Sequence, residues 1–486
     1  MKINRKKATT LLAMLLITAA VSGSALYLSL THTTIQQTLL RPLLPHQTSL
    51  SPTPPGQPTL QRLEVVTNQA FGVNNDYVPN GWGVHKNRVI RLSNGDVFTV
   101  YISAGQDERN REWHLMRRNA DGTWEEMNSG NAGAEPVNIL RGPNDEIHLF
   151  TWPGTAGKAV HLMSTDEGKT FTSETLPGQW YVDQGYSGCT IDDKGNIIFF
   201  ETAQDKPGNF LWAYYDATTA YWQFHSVQTD YRYTYAFFFL NDDGSLSITA
   251  MRDALRPELG YPNSTPGSFD YIFNEIKYFH VNDVNNPQLT STLVAAEQPR
   301  NNTDYDITYI TDSYMDTLGR IHILYDNLYD GPHHAIIQNG QVIKDVKMNI
   351  SSPTQMRIVQ DTSGHFYIIT MDESGNSIDV YPGAAKDTDG TQLESAVKLD
   401  ISKYPGCTDY DFCHSPTFTV PRGGNALSDY IDGTYGNYDN EFYFRISLRD
   451  SRVGMASQQS TTVWFLPFVP IILQQAVLEE KSYYIY

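Results

Sequence analysis

The feature that most constrains the fold is a unit of two apolar segments joined by a short turn, which occurs six times between residues 89 and 371. The turns carry Asn or Asp with Gly near residues 95, 145, 195, 244, 319 and 364, mostly about 45 to 50 residues apart. Such turns supply the left-handed backbone that a tight β-hairpin needs. A period near fifty with about four strands per unit is typical of a β-propeller. We therefore predict an all-β fold, a six- or seven-bladed β-propeller of four-stranded antiparallel blades.

The composition agrees with this fold class and narrows the possible partners. Aromatic residues make up 12% of the 486 residues, and 30 Tyr and 35 Gly favour strands and turns over helices. The formal net charge of -19 repels a phosphate backbone. We therefore expect no nucleic-acid partner, and a polyanionic glycan would have to meet a local basic site.

Strand-like segments at the two ends of the repeat region fit a seventh, irregular blade. We predict its inner strand in "SPTFTVPRGG" from Ser415, with "NEFYFRISLRD" from Asn440 further out. The segment "RLEVVTNQAFG" from Arg62 is expected to close the ring, since pairing the two ends removes exposed sheet edges. The tail "VWFLPFVPIIL" from Val463 is short and broken by prolines, so we predict a buried strand or lid there rather than a membrane span.

The N-terminus has the pattern of an export segment. "MKINRKK" is followed by an uncharged run from Ala8 to Leu30, which is long enough to span a bilayer. Residues 1–31 are predicted as a signal peptide or an N-terminal membrane anchor, and both alternatives stay open. We predict a Pro/Thr/Ser-rich linker over residues 32–61 and the propeller domain over residues 62–486. We expect an extracytoplasmic protein, secreted or anchored to the outer face of the cell membrane.

Cysteine usage points to no metal chemistry. Cys407 and Cys413 flank a five-residue loop and could close a small disulfide after export, whereas Cys189 lies in an apolar segment and is expected to be a buried small hydrophobe. The sequence has no CxxC pair and no histidine-plus-cysteine spacing of a metal site. We predict no metal and no cofactor.

A second sequence feature is the segment "MSTDEGKTFTSE" from Met163, which has the frame S-x-D-x-G-x-T-F. This pattern resembles the Asp-box, or BNR repeat, of the sialidase-like propellers. The resemblance implies that Ser164 and Asp166 cap the turn between the third and fourth strands of blade 2. It also implies that this turn faces away from the active site, so the motif marks the fold rather than the reaction.

The same resemblance suggests site residues on the opposite face. Sialidases have an Arg-Ile-Pro signature at blade 1, an acidic residue in the next loop, two further arginines that complete a carboxylate clamp, and a Tyr nucleophile with a Glu partner. Here "RVI" departs from the signature, with Ile90 in the proline position. The implied roles are a clamp for Arg88, Arg252 and Arg357, a general acid for Asp107 with Glu108 beside it as a substrate contact, and a nucleophile and its base for Tyr235 and Glu201.

Three classes of function stay open from the sequence. The first is a sialidase-like glycoside hydrolase acting on an acidic glycan, and the second is a non-catalytic glycan-binding or adhesion propeller. The third is a uronic-acid polysaccharide lyase, for which one strand and its loop offer His322, Tyr325, Tyr329, His333 and His334. Each of these side chains also fits a structural role, His322 above all. The expected partner is a glycan or polysaccharide, with a membrane contact through the N-terminal segment if it is uncleaved, and we expect a monomer.

Overall fold

The structure is a computed structural model, and it describes residues 56–70, 80–107, 109–151, 157–181, 185–202, 208–263, 270–350, 354–372, 374–406, 416–437 and 439–449. The predicted export segment, most of the linker, Cys407, Cys413 and the apolar tail from Val463 lie outside these residues. In the described part of the chain, no helix is long and apolar enough to cross a membrane.

The described residues form seven four-stranded antiparallel sheets, which confirms the β-propeller and fixes the number of blades. The chain starts with β1 (Thr59–Thr67). Blades 1 to 3 contain β2 (Val89–Arg91), β3 (Val97–Ser103), β4 (Arg111–Arg118), β5 (Trp124–Gly133); β6 (Asn138–Arg141), β7 (Ile147–Thr151), β8 (Val160–Ser164), β9 (Thr172–Thr175); and β10 (Gly188–Ile191), β11 (Ile197–Thr202), β12 (Asn209–Asp216), β13 (Tyr221–Gln228).

Blades 4 to 6 repeat the same order. They contain β14 (Tyr233–Leu240), β15 (Leu246–Leu255), β16 (Tyr271–Val281), β17 (Leu289–Ala296); β18 (Thr308–Met315), β19 (Ile321–Asn327), β20 (Gly331–Gln338), β21 (Gln341–Lys347); and β22 (Thr354–Gln360), β23 (Phe366–Met371), β24 (Ser377–Pro382), β25 (Val397–Asp400). Blade 7 contains β26 (Thr417–Phe418), β27 (Tyr430–Asn437) and β28 (Asn440–Ser447).

Blade 7 is completed by the other end of the described chain. β1 pairs antiparallel with β28, so the sheet order is β1-β28-β27-β26 and both termini contribute to one blade. This pairing confirms the predicted closing strand. It also covers the edge of β28, which would otherwise present unpaired backbone groups.

The turns between the first and second strands define the lower face of the propeller. In blade 1, Leu92 N donates to Asp96 O and Gly95 N donates to Leu92 O, and Gly95 has φ 93°. This three-residue connection requires one left-handed residue, which explains the recurring Gly. The upper face is the opposite one, where the first strands begin and the second strands end.

Aromatic and branched side chains fill the wedges between blades. Strand β11 is buried along its whole length because neighbouring blades cover both of its faces, and its first four residues form a continuous apolar run. Phe199 stacks on Phe150 of blade 2 at 5.3 Å, and Phe200 stacks on Phe238 of blade 4 at 4.0 Å. Such offset ring pairs add to the free energy gained by burial.

Two chain segments enter the central channel. At the upper end, the segment from Asn80 to Arg88 reaches several blades: Val84 O accepts from Arg357 Nη1 of blade 6 at 2.7 Å, and Asn87 Nδ2 donates to Cys189 O of blade 3 at 2.9 Å. At the lower end, a short 3-10 turn at Pro421–Gly423 inserts Arg422 between Phe237 and Asp312. We call the first segment the upper plug.

Candidate functional site

The upper plug places Trp82, His85 and Lys86 beside the axis of the propeller. Gly83, with φ 92°, lets the chain turn between Trp82 and His85, and a Cβ atom there would lie 3.0 Å from the His85 ring. His85 and Lys86 are buried, whereas Trp82 is partly exposed. The plug therefore brings an imidazole to the upper end of the channel without using a blade strand.

Six rings form one aromatic cluster at this end of the channel. Tyr235 lies at its centre and contacts the other five, with centroid distances of 5.6 Å to Trp82, 5.6 Å to His85, 5.0 Å to Tyr186, 5.8 Å to Phe273 and 5.7 Å to Tyr309. Trp82 and Tyr309 are partly exposed, so they form the outer edge of the cluster. An aromatic platform with polar edges is a suitable surface for a sugar ring.

Two tyrosines of the cluster have an unusual backbone. Tyr186, just before β10, has φ 51°, and Tyr235, at the start of β14, has φ 48°. A bulky residue in the left-handed region is strained, and such strain concentrates at functional sites. In blade 4 the strand pairing shifts register between Thr234 and Phe237, so the strained Tyr235 lies within a bulge that points its ring at the axis.

The protonation states of the central pair are set by their surroundings. Burial, then the nearby Lys86 and Arg422, hold the pKa of His85 well below its usual value, so its imidazole is neutral. Among the described residues, neither ring nitrogen of His85 has a hydrogen bond of normal geometry. Burial raises the pKa of Tyr235 well above the usual value, so its phenol keeps its proton. The pair is therefore a neutral acceptor beside a neutral donor.

Arg232 and Asp253 form a buried ion pair beside Tyr186. Arg232 Nη2 lies 2.8 Å from Asp253 Oδ2 and 3.5 Å from Tyr186 Oη. The guanidinium also stacks over the Tyr271 ring at 4.4 Å. The contact with Asp253 is an ion pair without an aligned hydrogen bond, and burial raises the pKa of Asp253 to about 7 in spite of the arginine. A carboxyl group that titrates near neutral pH is suited to acid–base chemistry.

A second buried ion pair supports the cluster from below. Lys86 Nζ lies 2.6 Å from Glu135 Oε2 and donates to Ser187 O at 3.0 Å and Ser187 Oγ at 2.9 Å. Glu135 Oε1 in turn accepts from Tyr186 N at 2.8 Å. The pair therefore holds the strained backbone of Tyr186 in place.

Glu201 and Tyr235, predicted as base and nucleophile, have different partners. Glu201 is fully buried, and its Oε2 accepts from Tyr181 N at 2.9 Å. Burial, then the nearby Glu135, raises the pKa of Glu201 well above its usual value. Tyr235 bonds through its side chain to Tyr309. The predicted pairing of these two residues stays a prediction.

The three arginines predicted as a carboxylate clamp have separate neighbours in the described structure. Arg88 Nη1 donates to Asn80 O at 3.1 Å, and burial lowers its pKa to about 10. Arg252 lies over the Tyr231 ring at 3.6 Å and 3.3 Å from Glu258. Arg357 Nε donates to Pro416 O at 2.9 Å, and burial lowers its pKa to about 10. Each guanidinium has a structural role, and the clamp stays a prediction.

Asp107, predicted as the general acid, caps its own loop. Its Oδ1 accepts from Arg109 N and from Asn110 Nδ2, both at 2.9 Å. The hydrogen bond from Arg109 N, then that from Asn110, lowers the pKa of this exposed carboxyl. An ionised group of this kind is a poor proton donor at neutral pH. Glu108 lies outside the described residues.

The residues predicted for a lyase on blade 5 lie in three different environments. Tyr329 donates to Asp304, and Arg300 stacks over its ring at 3.7 Å. His333 lies 3.1 Å from Asp345 and 2.9 Å from Asp330, and it stacks on Tyr325 at 5.0 Å. His334 is buried against His322, at 2.9 Å between ring nitrogens, and burial lowers its pKa to about 3. His334 therefore has the buried, structural role that was expected of His322.

The structure adds residues that the sequence did not single out: Trp82, His85, Arg232 and Asp253. The available signal was "GWGVHK" from Gly81, a tryptophan between two glycines outside any strand pattern. Asp253 follows Arg252 directly, and neighbouring positions of a strand face opposite sides. Arg252 and Asp253 therefore have different surroundings, and the pattern that indicated Arg252 does not extend to Asp253.

The turn that carries Ser164 and Asp166 lies on the lower face, between β8 and β9. Gly168 N donates to Ser164 Oγ at 2.8 Å, and Thr170 N donates to Asp166 Oδ1 at 2.9 Å. Hydrogen bonds from the backbone and then the side chain of Thr170, followed by that from Ser164, lower the pKa of Asp166 to about 2. The turn is therefore a capped loop remote from the aromatic cluster.

The described part of the chain offers no candidate metal site. No group of three or more His, Cys, Asp or Glu side chains is arranged to hold a metal ion there. Cys189 is buried, and burial raises the pKa of its thiol to about 12, so the thiol stays protonated.

Comparison with known proteins identifies the fold alone. No protein-family profile and no curated protein matches the chain. The crystal structure of the polysaccharide lyase Uly1 is 13% identical over 80% of this chain and 100% of that chain, with a TM-score of 0.51. An ulvan lyase bound to -[GlcA(1-4)Rha3S]- is 11% identical over 82% and 100%, with a TM-score of 0.49. An α-L-arabinofuranosidase of Fusarium graminearum with arabinobiose is 12% identical over 80% and 98%, with a TM-score of 0.42.

The likeness to Uly1 shows a shared propeller fold. At this level of identity it does not transfer an activity, because one propeller scaffold supports several chemistries. The residues of the upper-face cluster therefore have to carry any functional conclusion.

Proposed function

We propose that this chain is a carbohydrate-active propeller that cleaves an acidic polysaccharide by β-elimination next to a uronic acid. The observation that carries the proposal is the edge contact between the neutral His85 ring and the protonated Tyr235 phenol, 5.6 Å apart. A lyase needs a base for the proton beside the carboxylate and an acid for the leaving oxygen. The name of the structurally similar Uly1, a polysaccharide lyase, agrees with this class of reaction.

The proposed step uses His85 as the base and Tyr235 as the acid. His85 takes the proton on the carbon next to the uronate carboxylate, the bond from the sugar to the leaving oxygen breaks, and Tyr235 protonates that oxygen. A carbon–carbon double bond forms in the sugar, and no water is consumed. Both residues regain their starting states by exchange with solvent.

Arg232 is the proposed partner of the substrate carboxylate. Its ion pair with Asp253 would ordinarily occupy the guanidinium, but the pKa of Asp253 is raised to about 7. Protonation of Asp253 therefore frees positive charge for the substrate near neutral pH. The arrival of a carboxylate also offsets the cations that hold the pKa of His85 down, which makes His85 a stronger base.

The second candidate is the glycoside hydrolase expected from the sequence. A specific observation favours it, because Asp253 has the raised pKa required of a general acid. Hydrolysis and elimination both produce new reducing ends, but elimination alone produces an unsaturated uronate that absorbs ultraviolet light.

The test is incubation of the full chain with a panel of uronic acid polymers that includes ulvan, and with fluorogenic sialosides. Unsaturated product from wild type and none from His85→Gln supports the proposal. Released fluorophore or reducing ends without unsaturation supports the hydrolase, and binding without turnover supports a glycan-binding propeller. Export, tethering through the N-terminal segment and a monomeric state are proposed from the sequence, and cell fractionation and light scattering test them.

A further inference from the structure

A cavity of about 530 Å³ opens on the lower face between blades 2 and 3. It lies on the face opposite the His85 cluster, and its lining includes Glu146, His148, Glu174 and Tyr215. Its volume falls within the range of about 300 to 1,000 Å³ typical of small-molecule sites. None of these residues has a part in the proposed elimination.

A chain of hydrogen bonds orients His148 in this cavity. Trp222 Nε1 donates to Glu174 Oε1 at 2.7 Å, His161 Nδ1 lies 2.9 Å from the same oxygen, and His148 Nδ1 lies 2.9 Å from His161 Nε2. The hydrogen bond from His161 lowers the pKa of Glu174, so the carboxylate is ionised and only accepts.

This series of hydrogen bonds indicates which ring nitrogens carry protons. When the His161 ring is neutral, its Nδ1 proton is donated to Glu174, and its Nε2 then accepts from the Nδ1 proton of His148. Burial lowers the pKa of His148 to about 3, so the ring is neutral and its Nε2 carries a lone pair. His148 is only 6% exposed and lines the cavity, and its Nε2 has no hydrogen bond among the described residues.

Blade 5 contains the same pair of histidines, and there Nε2 of the second-strand histidine has a carboxylate partner. His322 Nδ1 lies 2.9 Å from His334 Nε2, as His148 does from His161, but His322 Nε2 also lies 3.1 Å from Asp316 Oδ2. In the lower turn of blade 5, the backbone carbonyl of Asp316 accepts from Gly319 N. In blade 2, the backbone carbonyl of Gly142 accepts from Asp145 N, so the two residues hold the same position in their turns. Blade 2 therefore has glycine at the position of Asp316, and the Glu146 carboxylate reaches into the space beside it: a Cβ on Gly142 would overlap Glu146 Oε2 and lie 3.0 Å from His148 Nε2.

We propose that the cavity between blades 2 and 3 is a second sugar-binding site, which takes a neutral glycoside through its hydroxyl groups. One hydroxyl donates to His148 Nε2, and others donate to the carboxylates of Glu146 and Glu174. The Tyr215 ring supplies an apolar face for the sugar. Lys194 also lines the cavity, but its Nζ lies 3.8 Å from Asp242 Oδ1 and donates to Asp242 O. A uronate would meet the carboxylates of Glu146 and Glu174, so we expect this site to differ in ligand from the upper-face site.

The experiment uses the full chain and three neutral probes, methyl β-galactoside, methyl α-rhamnoside and methyl α-arabinofuranoside, with methyl β-glucuronide as the acidic comparison. Binding is followed by saturation-transfer NMR and calorimetry. Gly142→Asp places a carboxylate at the position of Asp316 without a left-handed backbone, and its Cβ would lie 3.0 Å from His148 Nε2 and overlap Glu146 Oε2, so this variant also displaces the Glu146 carboxylate. Asn94→Asp, on an exposed lower turn of blade 1, adds the same charge at a residue that does not line the cavity.

We expect at least one neutral probe to bind wild type and Asn94→Asp equally, and Gly142→Asp to bind it at least tenfold more weakly. His148→Gln provides a second variant if Gly142→Asp does not fold, and it should show the same loss. Polysaccharide cleavage at the upper face should be unchanged in both cavity variants, so failure of either proposal is visible separately. Absence of binding by all neutral probes at millimolar concentration, or binding that both cavity variants retain, overturns the proposal.

Discussion

The ring of His85 lies edge-on to the ring of Tyr235, with 5.6 Å between centroids and 89° between planes. His85 belongs to the upper plug that precedes blade 1, and Tyr235 to the first strand of blade 4. Folding therefore brings together two residues far apart in the chain. The contact joins a proton acceptor to a proton donor, and the proposed elimination depends on it.

Tyr235→Phe should lower kcat by about 10² to 10⁴-fold, because it removes the proposed proton donor and keeps the ring. The hydroxyl bonds to Tyr309, and loss of one such hydrogen bond costs only about 1 kcal/mol of folding free energy. Steady-state kinetics and thermal unfolding measure the two effects separately.

Tyr278→Phe provides the matched control in the same blade. Its hydroxyl lies 3.0 Å from Ser247 Oγ, near the lower end of β15. This variant should keep wild-type kcat. A Tyr235→Phe variant with the same kcat as Tyr278→Phe would remove Tyr235 from the chemistry.

Asp253 should make stability depend on pH in an identifiable window. Its folded pKa of about 7 lies above the unfolded value of about 4. The folded state thus binds the proton more tightly, and the stability from this group is fully present below about pH 4 and is lost as the pH rises through about 7. The side chain of the Asp253→Asn variant does not titrate. The unfolding free energy of the variant minus that of wild type should therefore increase across this window, by at most about 4 kcal/mol.

Thermal unfolding of wild type and Asp253→Asn at a series of pH values measures this difference. Other buried acids titrate equally in both proteins and cancel. A Tm difference that stays constant from pH 4 to pH 8 would show that Asp253 is ionised throughout, and its proposed link to Arg232 would fail.

Lys86→Met should destabilise the propeller strongly, by about 3 to 5 kcal/mol, because it leaves Glu135 buried without its cation. Both side chains are completely inaccessible and lie 2.6 Å apart. The double variant Lys86→Met with Glu135→Gln should recover part of the loss, since no lone charge remains. Urea denaturation gives the free energies, and a cost below about 1 kcal/mol for Lys86→Met is incompatible with the buried pair.

Removal of β1 should open the ring at blade 7. A chain that begins at Gly56 keeps the β1 pairing with β28, and a chain that begins at Asn68 loses it. We expect the shorter chain to aggregate or to unfold at a lower temperature, because the β28 edge is then unpaired. Size-exclusion chromatography and calorimetry compare the two, and equal Tm values would contradict a closing role for β1.

The fold was predictable because its lower turns have a local signal. A left-handed residue is required at the same place in each of the first six blades, and Gly supplies it in every one except blade 2, where Asp145 has φ 66°. Blade 7 lacks this turn and has the 3-10 turn at Pro421–Gly423 instead. The sequence therefore left six or seven blades open, and the β1 pairing that decides between them is a long-range contact.

The site was predictable only in its general position on the upper face. Arg88 directly precedes β2 and Arg357 lies within β22, both first strands as expected of channel residues, but packing directs their guanidinium groups to backbone carbonyls. His85 lies in a segment without strand periodicity, and its neutral state follows from burial, then from the adjacent Lys86 and from Arg422 far along the chain. The burial and the contribution of Arg422 have no signature in the local sequence.

The most direct test of the central proposal is the ultraviolet absorbance of product released from the uronic acid polymers, recorded together with new reducing ends. The proposal predicts that wild type produces unsaturated ends and reducing ends in equal numbers, and that His85→Gln produces neither. Reducing ends without unsaturated product, or unsaturated product that His85→Gln releases at the wild-type rate, would contradict it.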